Sequence, residues 1–117
     1  MTAMPSGETS AREPTWVALP LPVPPPGVLK PFAIAGRRLV LCNVDGIAYV
    51  LEDACPHTGV ALSPGRLSGC VLECPFHGGK LDVRDGTPVA PPIRRRARTL
   101  PVRAAGAGWE VGIVEEG

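Results

Sequence analysis

The sequence predicts an all-β protein, and three observations carry that reading. Short apolar runs recur along its 117 residues, and no stretch shows a helical period. Glycine-centred turn signals separate the runs at Asp45-Gly46, Gly69-Cys70, Asp85-Gly86 and residues 105–108. Glycine and proline number 14 and 15, yet they punctuate the runs instead of repeating. That pattern separates a loop-rich β domain from a low-complexity chain.

Residues 1–14 (MTAMPSGETSAREP) are polar and aperiodic, so a disordered tail is expected there, with one domain over 15–117. A strand is expected over 15–19. The proline-rich connection to Gly27 cannot pair internally and reads as a surface turn of polyproline character, whether linker or partner site. A strand over 30–34 closes at Gly36-Arg37. Residues 38–44 and 47–51 flank Asp45-Gly46, the strongest hairpin signal in the chain. Cys42 falls inside the first of these and reads as a small buried apolar residue.

Residues 66–68 and 71–74 form a second predicted hairpin around Gly69-Cys70, and 80–83 and 87–89 a third around Asp85-Gly86. Pro91-Pro92 opens a surface loop. Two closing strands, 97–103 and 109–114, complete the fold, with Trp16 and Trp109 in its first and last strands as core packing.

A net charge of +1 gives no overall attraction to nucleic acid or anionic membrane. The longest apolar candidate, 16–29, is broken by five prolines and falls short of the roughly 20 residues a membrane helix needs. No basic segment followed by an apolar one opens the chain, so a cytoplasmic location is expected.

The chemistry concentrates in residues 53–82, DACPHTGVALSPGRLSGCVLECPFHGGKLD. Cys55-Pro56-His57 and Cys74-Pro75-Phe76-His77 each offer one thiol and one imidazole, and these are the chain's only histidines. Sixteen residues separate His57 from Cys74, enough to leave one loop, cross a hairpin and return in a second. Paired loops with one soft anionic ligand and one imidazole each suit a two-iron cluster with chemically different ends.

This pattern resembles the Rieske iron–sulfur family, Cys-x-His followed by Cys-x-x-His. The resemblance extends to Leu62-Ser63-x-Gly65, His77-Gly78, Leu81-Asp82 and Gly86, and runs from about Trp16 to Val114. It implies stacked antiparallel sheets with the cluster held by two loops at one tip. It also implies one [2Fe-2S] cluster per chain, with Cys55 and Cys74 on the inner iron and His57 and His77 on the outer. Two thiolates and two neutral imidazoles leave the oxidised centre formally neutral, so it accepts an electron more readily than a four-thiolate cluster. Rieske potentials span about −150 to +300 mV, against about −400 mV for plant-type ferredoxins.

Backbone amides near Gly59, Gly78 and Gly79 are candidate donors to sulfur, and Pro56 and Pro75 stiffen the loops. Departures from the family pattern are informative. The loop disulfide of high-potential members is absent, its positions being Val60 and Phe76. Their serine after the second His-Gly is Gly79, and the usual aromatic before the last Asp is Leu81. A potential at the low end of the range is expected.

The implied function is a soluble, monomeric ferredoxin. It would carry single electrons from a flavin-containing reductase to a terminal oxygenase acting on an aromatic or similar substrate. The chain cannot be that oxygenase, because no histidine remains for a mononuclear iron. The alternatives are a small subunit of an assimilatory nitrite reductase and a zinc-stabilised interaction module. Arg94, Arg95 and Arg96, with Arg98 and Arg103, form the one basic cluster, either plain solvent-facing charge or a docking site for an acidic partner.

Overall fold

A computed structural model describes residues 13–76 and 78–114. Among the described residues eleven strands make three antiparallel sheets, and no α-helix occurs. The central sheet contains β2 (Lys30–Ile34), β3 (Arg37–Val44), β4 (Ile47–Glu52) and β9 (Thr99–Leu100), ordered β9-β4-β3-β2. A base sheet orders β10 (Val102–Ala105), β11 (Gly108–Ile113) and β1 (Thr15–Ala18). A cap sheet runs β5 (Arg66–Ser68), β6 (Val71–Glu73), β7 (Lys80–Asp82), β8 (Pro88–Ala90).

The β3–β4 hairpin organises the molecule. Val44 pairs with Ile47 across a two-residue loop, and Asp45 and Gly46 both take positive φ, 54° and 85°. Only such a loop matches the right-handed twist of the strands, which is why Asp-Gly was legible. Four successive β3 residues, Leu39 to Cys42, are completely buried, because both faces of this sheet are covered. Val40, Cys42 and Val44 face a core shared with Leu67, Leu72, Leu81 and Val83 of the cap side. Leu39 and Leu41, with Ala48 and Val50, face Val111 and Ile113 of the base.

Two elements differ from expectation. The closing strand over 97–103 is split at Pro101, which has no N–H to donate to a ladder. There the chain leaves the central sheet for the base, and the Pro101 carbonyl accepts from Gly112 N at 2.8 Å. The proline-rich connection is more than a surface turn. Pro24 is buried, its carbonyl accepts from Asn43 Nδ2 at 3.1 Å, and Leu21 and Val23 pack on the base core. Residues 1–12, most of the expected tail, lie outside the described residues. Pro14 lies close beside Gly112.

Candidate metal centre

Three loops meet at one end of the cap side. The first leaves β4 and carries Cys55 and His57. The second joins β6 to β7 and carries Cys74. The third, residues 91–98, runs from β8 to β9.

The first two loops are built alike. Cys55 N–H donates to the carbonyl of Val60 at 2.7 Å, and Cys74 N–H to that of Gly79 at 2.8 Å. In each, the cysteine amide closes a ring onto the residue five positions on. Cys55 also accepts at its own carbonyl from Gly59 N, 2.7 Å away. A cysteine at the start of such a ring has later backbone amides turned toward its sulfur.

Both cysteines are buried at 3% exposure, and their thiols interact directly. Burial pushes the Cys55 thiol up, but N–H groups of Thr58 and His57, the Cys74 thiol and the Thr58 hydroxyl outweigh it, so Cys55 lies below the ordinary thiol range. Burial raises Cys74 as well; a lowering contribution from Phe76 N–H is outweighed, the adjacent Cys55 adding to the rise. Two thiolates side by side repel, and a shared cationic centre relieves that repulsion while leaving the amide donors in place.

His57 is exposed at the rim, so the first loop turns its sulfur inward and its imidazole outward. His57, Pro56, Pro92, Arg94 and Arg95 line a cleft of about 290 Å³. His77, the fourth expected site residue, lies outside the described residues.

Asp53 escaped the sequence reading. It is buried at 7% exposure and braces the first loop. Its Oδ1 accepts from Leu62 N and Ser63 N, both 2.7 Å, and its Oδ2 from Ser63 Oγ at 2.7 Å. The signal was there in an acid two residues before the cysteine and the Leu-Ser pair downstream. What hid it was the nine-residue gap, which no local rule bridges.

Two glycines are required by close approach. A Cβ on Gly65 would stand 2.2 Å from the Glu73 carbonyl oxygen. On Gly79 it would stand 2.7 Å from Ile93 Cγ1 and 3.2 Å from Ile93 N. The third loop therefore presses on the second, leaving no room for a serine at Gly79.

All four cysteines are free. Phe76 is 56% exposed and Val60 packs partly on the core. Cys42 is buried as expected, its thiol pushed up to about 12 by burial. Cys70 is half-buried, its Sγ 3.7 Å from Asp82 Oδ2, away from the paired thiols in sequence and partner. Arg103 does not join the basic cluster. It pairs with Glu110 at 2.8 Å and stacks 4.0 Å from the Trp16 ring centroid.

Sheets, paired cysteine loops and the buried thiol pair define an iron–sulfur protein, and the chain belongs to the Rieske [2Fe-2S] domain family, whose model matches residues 14–101. Within that family it is homologous to ferredoxin components of dioxygenase systems, which transfer electrons. It is 33% identical over 82 residues to the ferredoxin component of the naphthalene 1,2-dioxygenase system of Pseudomonas aeruginosa, spanning 70% of this chain and 79% of that one. It is 35% identical over 83 residues to the biphenyl dioxygenase ferredoxin subunit of Pseudomonas sp. (strain KKS102), spanning 70% and 76%. A chain in the solved complex of reduced oxygenase and oxidised ferredoxin of carbazole 1,9a-dioxygenase superposes with a TM-score of 0.75, at 30% identity, over 83% of this chain and 92% of that one.

The residues present fit a [2Fe-2S] cluster. The thiols are adjacent, buried and served by amide donors, and an imidazole stands at the rim of the same loop.

Proposed function

We propose that Cys55, His57, Cys74 and His77 hold the cluster, and that residues 15–117 act as a monomeric one-electron carrier between a flavin-containing reductase and a terminal oxygenase. The observation that carries this reading is the matched ring in each loop, which delivers two thiols to one buried point. Once bound, the cluster supplies a single reversible electron equivalent. The protein's part is to shield the sulfur end, direct amides of Thr58, His57 and Phe76 at it, and leave His57 exposed as the exit.

The carbazole system, in which an oxygenase and a ferredoxin form a complex, supports the oxygenase as acceptor. The naphthalene and biphenyl relatives support an aromatic substrate for it. They favour this reading over a nitrite reductase subunit. Free cysteines throughout accord with a reducing cytoplasm. Among the described residues no helix is long and apolar enough to cross a membrane. Glycine standing where high-potential members have serine means fewer sulfur hydrogen bonds, which supports a potential low in the Rieske range.

The test is composition and spectrum of the purified protein, beside His57→Ala. Iron and labile sulfide near two per chain, with a visible spectrum lost in the variant, are expected. A colourless protein, or a variant that keeps both cluster and potential, contradicts the assignment.

A further inference from the structure

Three of the described arginines are ion-paired. Arg37 pairs with Glu52, Arg84 with Asp82 and Arg103 with Glu110, each within 2.9 Å. Arg96 acts electrostatically on Asp85. Among the described residues Arg94 and Arg95 make no ion pair or hydrogen bond, and both are exposed. They line the same cleft as His57, and among the described residues no carboxylate lines it with them.

These two arginines are not on a loose segment. Ile93 and Ala97 on either side are buried at 3% and 6% exposure. Ala97 N–H donates to the Gly86 carbonyl at 2.9 Å, and Ile93 presses on Gly79 of the second loop. The backbone is anchored at both ends while both guanidinium groups project. With a net charge of only +1, this is a local positive site and not the edge of a basic protein.

We propose that the cleft is a docking socket for an acidic side chain of the redox partner, seating an Asp or Glu carboxylate between Arg94 and Arg95 beside the exposed His57. A guanidinium fork matches a carboxylate in two parallel hydrogen bonds, and two forks facing one cleft fix direction as well as charge. A carboxylate seated there sets the partner's surface against His57, so the contact that orients the pair also shortens the electron's path. The inference rests on His57 being a cluster ligand.

The test uses reduced holoprotein and two small oxidants, anionic ferricyanide and the cationic tris(phenanthroline)cobalt(III) ion, with a hexaglutamate peptide as a protein-like probe. Three forms are compared: the natural sequence, Arg94→Gln/Arg95→Gln, and Lys30→Gln/Arg84→Gln, which removes the same charge outside the cleft. For the natural sequence, ferricyanide oxidation should slow with added salt, and the peptide should bind by calorimetry and compete with ferricyanide. The cleft variant, its visible spectrum unchanged, should lose peptide binding and react with ferricyanide roughly three- to tenfold more slowly at low salt. Its reaction with the cobalt complex should not slow, and the control pair should behave like the natural sequence. Equal losses in both variants, or a salt-insensitive natural protein, overturn the socket. Ferricyanide sensitivity without peptide binding means a site for small anions only and also overturns it. A natural protein lacking the cluster spectrum defeats the ligand assignment instead, and the calorimetric arm still reports on the cleft.

Discussion

The two faces of β3 serve different cores. Toward the base, Leu39 and Leu41 meet Ala48, Val50, Leu100, Val111 and Ile113, an entirely aliphatic set. Toward the cap, Val40, Cys42 and Val44 meet a core that includes Cys55 and Cys74 themselves. The base is complete as protein. The cap side closes around the two thiols proposed to hold the cluster, and its strands are only three residues each, too short to stand on ladder hydrogen bonds alone. With Cys55 and Cys74 as the proposed ligands, one sheet joins a half held by protein contacts alone to a half that the cluster would clip together.

The sharpest way to break this comparison is to remove a proposed ligand. Cys74→Ser should abolish the cluster and collapse amide hydrogen-exchange protection across β5, β6, β7 and β8. Protection in β1, β10 and β11 should persist. Uniform loss over all three sheets would show that the base has no independent stability.

A milder contrast sharpens it. Leu39 and Leu72 are both completely buried, one in each core. Truncating either to Ala should cost about 2–5 kcal/mol in denaturant unfolding. Only Leu72→Ala should also speed iron loss to a chelator, since its cavity adjoins the core that holds the thiols. Equal chelation rates for the two variants would mean that the cores are not separate.

The smallest expected effect is on acid stability. A hydrogen bond from Arg84 holds the Asp82 carboxyl below its ordinary range, and the Thr87 amide does the same for Asp85. Both folded values lie below the unfolded one, about 3.9 for Asp. The stabilisation is therefore present above the unfolded value and is lost as pH falls through the depressed ones. Asp82 ends β7 of the cap sheet and Asp85 follows in the turn after it, so acid should loosen that half first, and Arg84→Gln should flatten the decline of Tm below about pH 4. An unchanged acid limb would rule the pair out as its cause.

Much of this was legible in the sequence because local chemistry fixed it. Asp45-Gly46 dictates its turn, and with it the register of β3 on β4. The Cys-Pro-His and Cys-Pro-Phe-His segments announce their donors without any tertiary contact. What stayed hidden was what depends on partners far along the chain. Nothing in Thr99-Leu100-Pro101-Val102 says that Pro101 passes the strand between sheets. Asp53 reads as a loop acid until Leu62 and Ser63 fold back onto it. Arg94 and Arg103 look alike in sequence, and only the fold gives one of them a glutamate.

The central claim is a cluster gripped by sulfur inside and by imidazole at the rim. Because the chain has just two histidines, electron–nuclear double resonance on the reduced, ¹⁵N-histidine-labelled protein tests it without ambiguity. The account predicts two strongly coupled ¹⁵N nuclei, with His57→Ala abolishing the two-nitrogen signature. A paramagnetic signal with one coupled histidine nitrogen or none would contradict it.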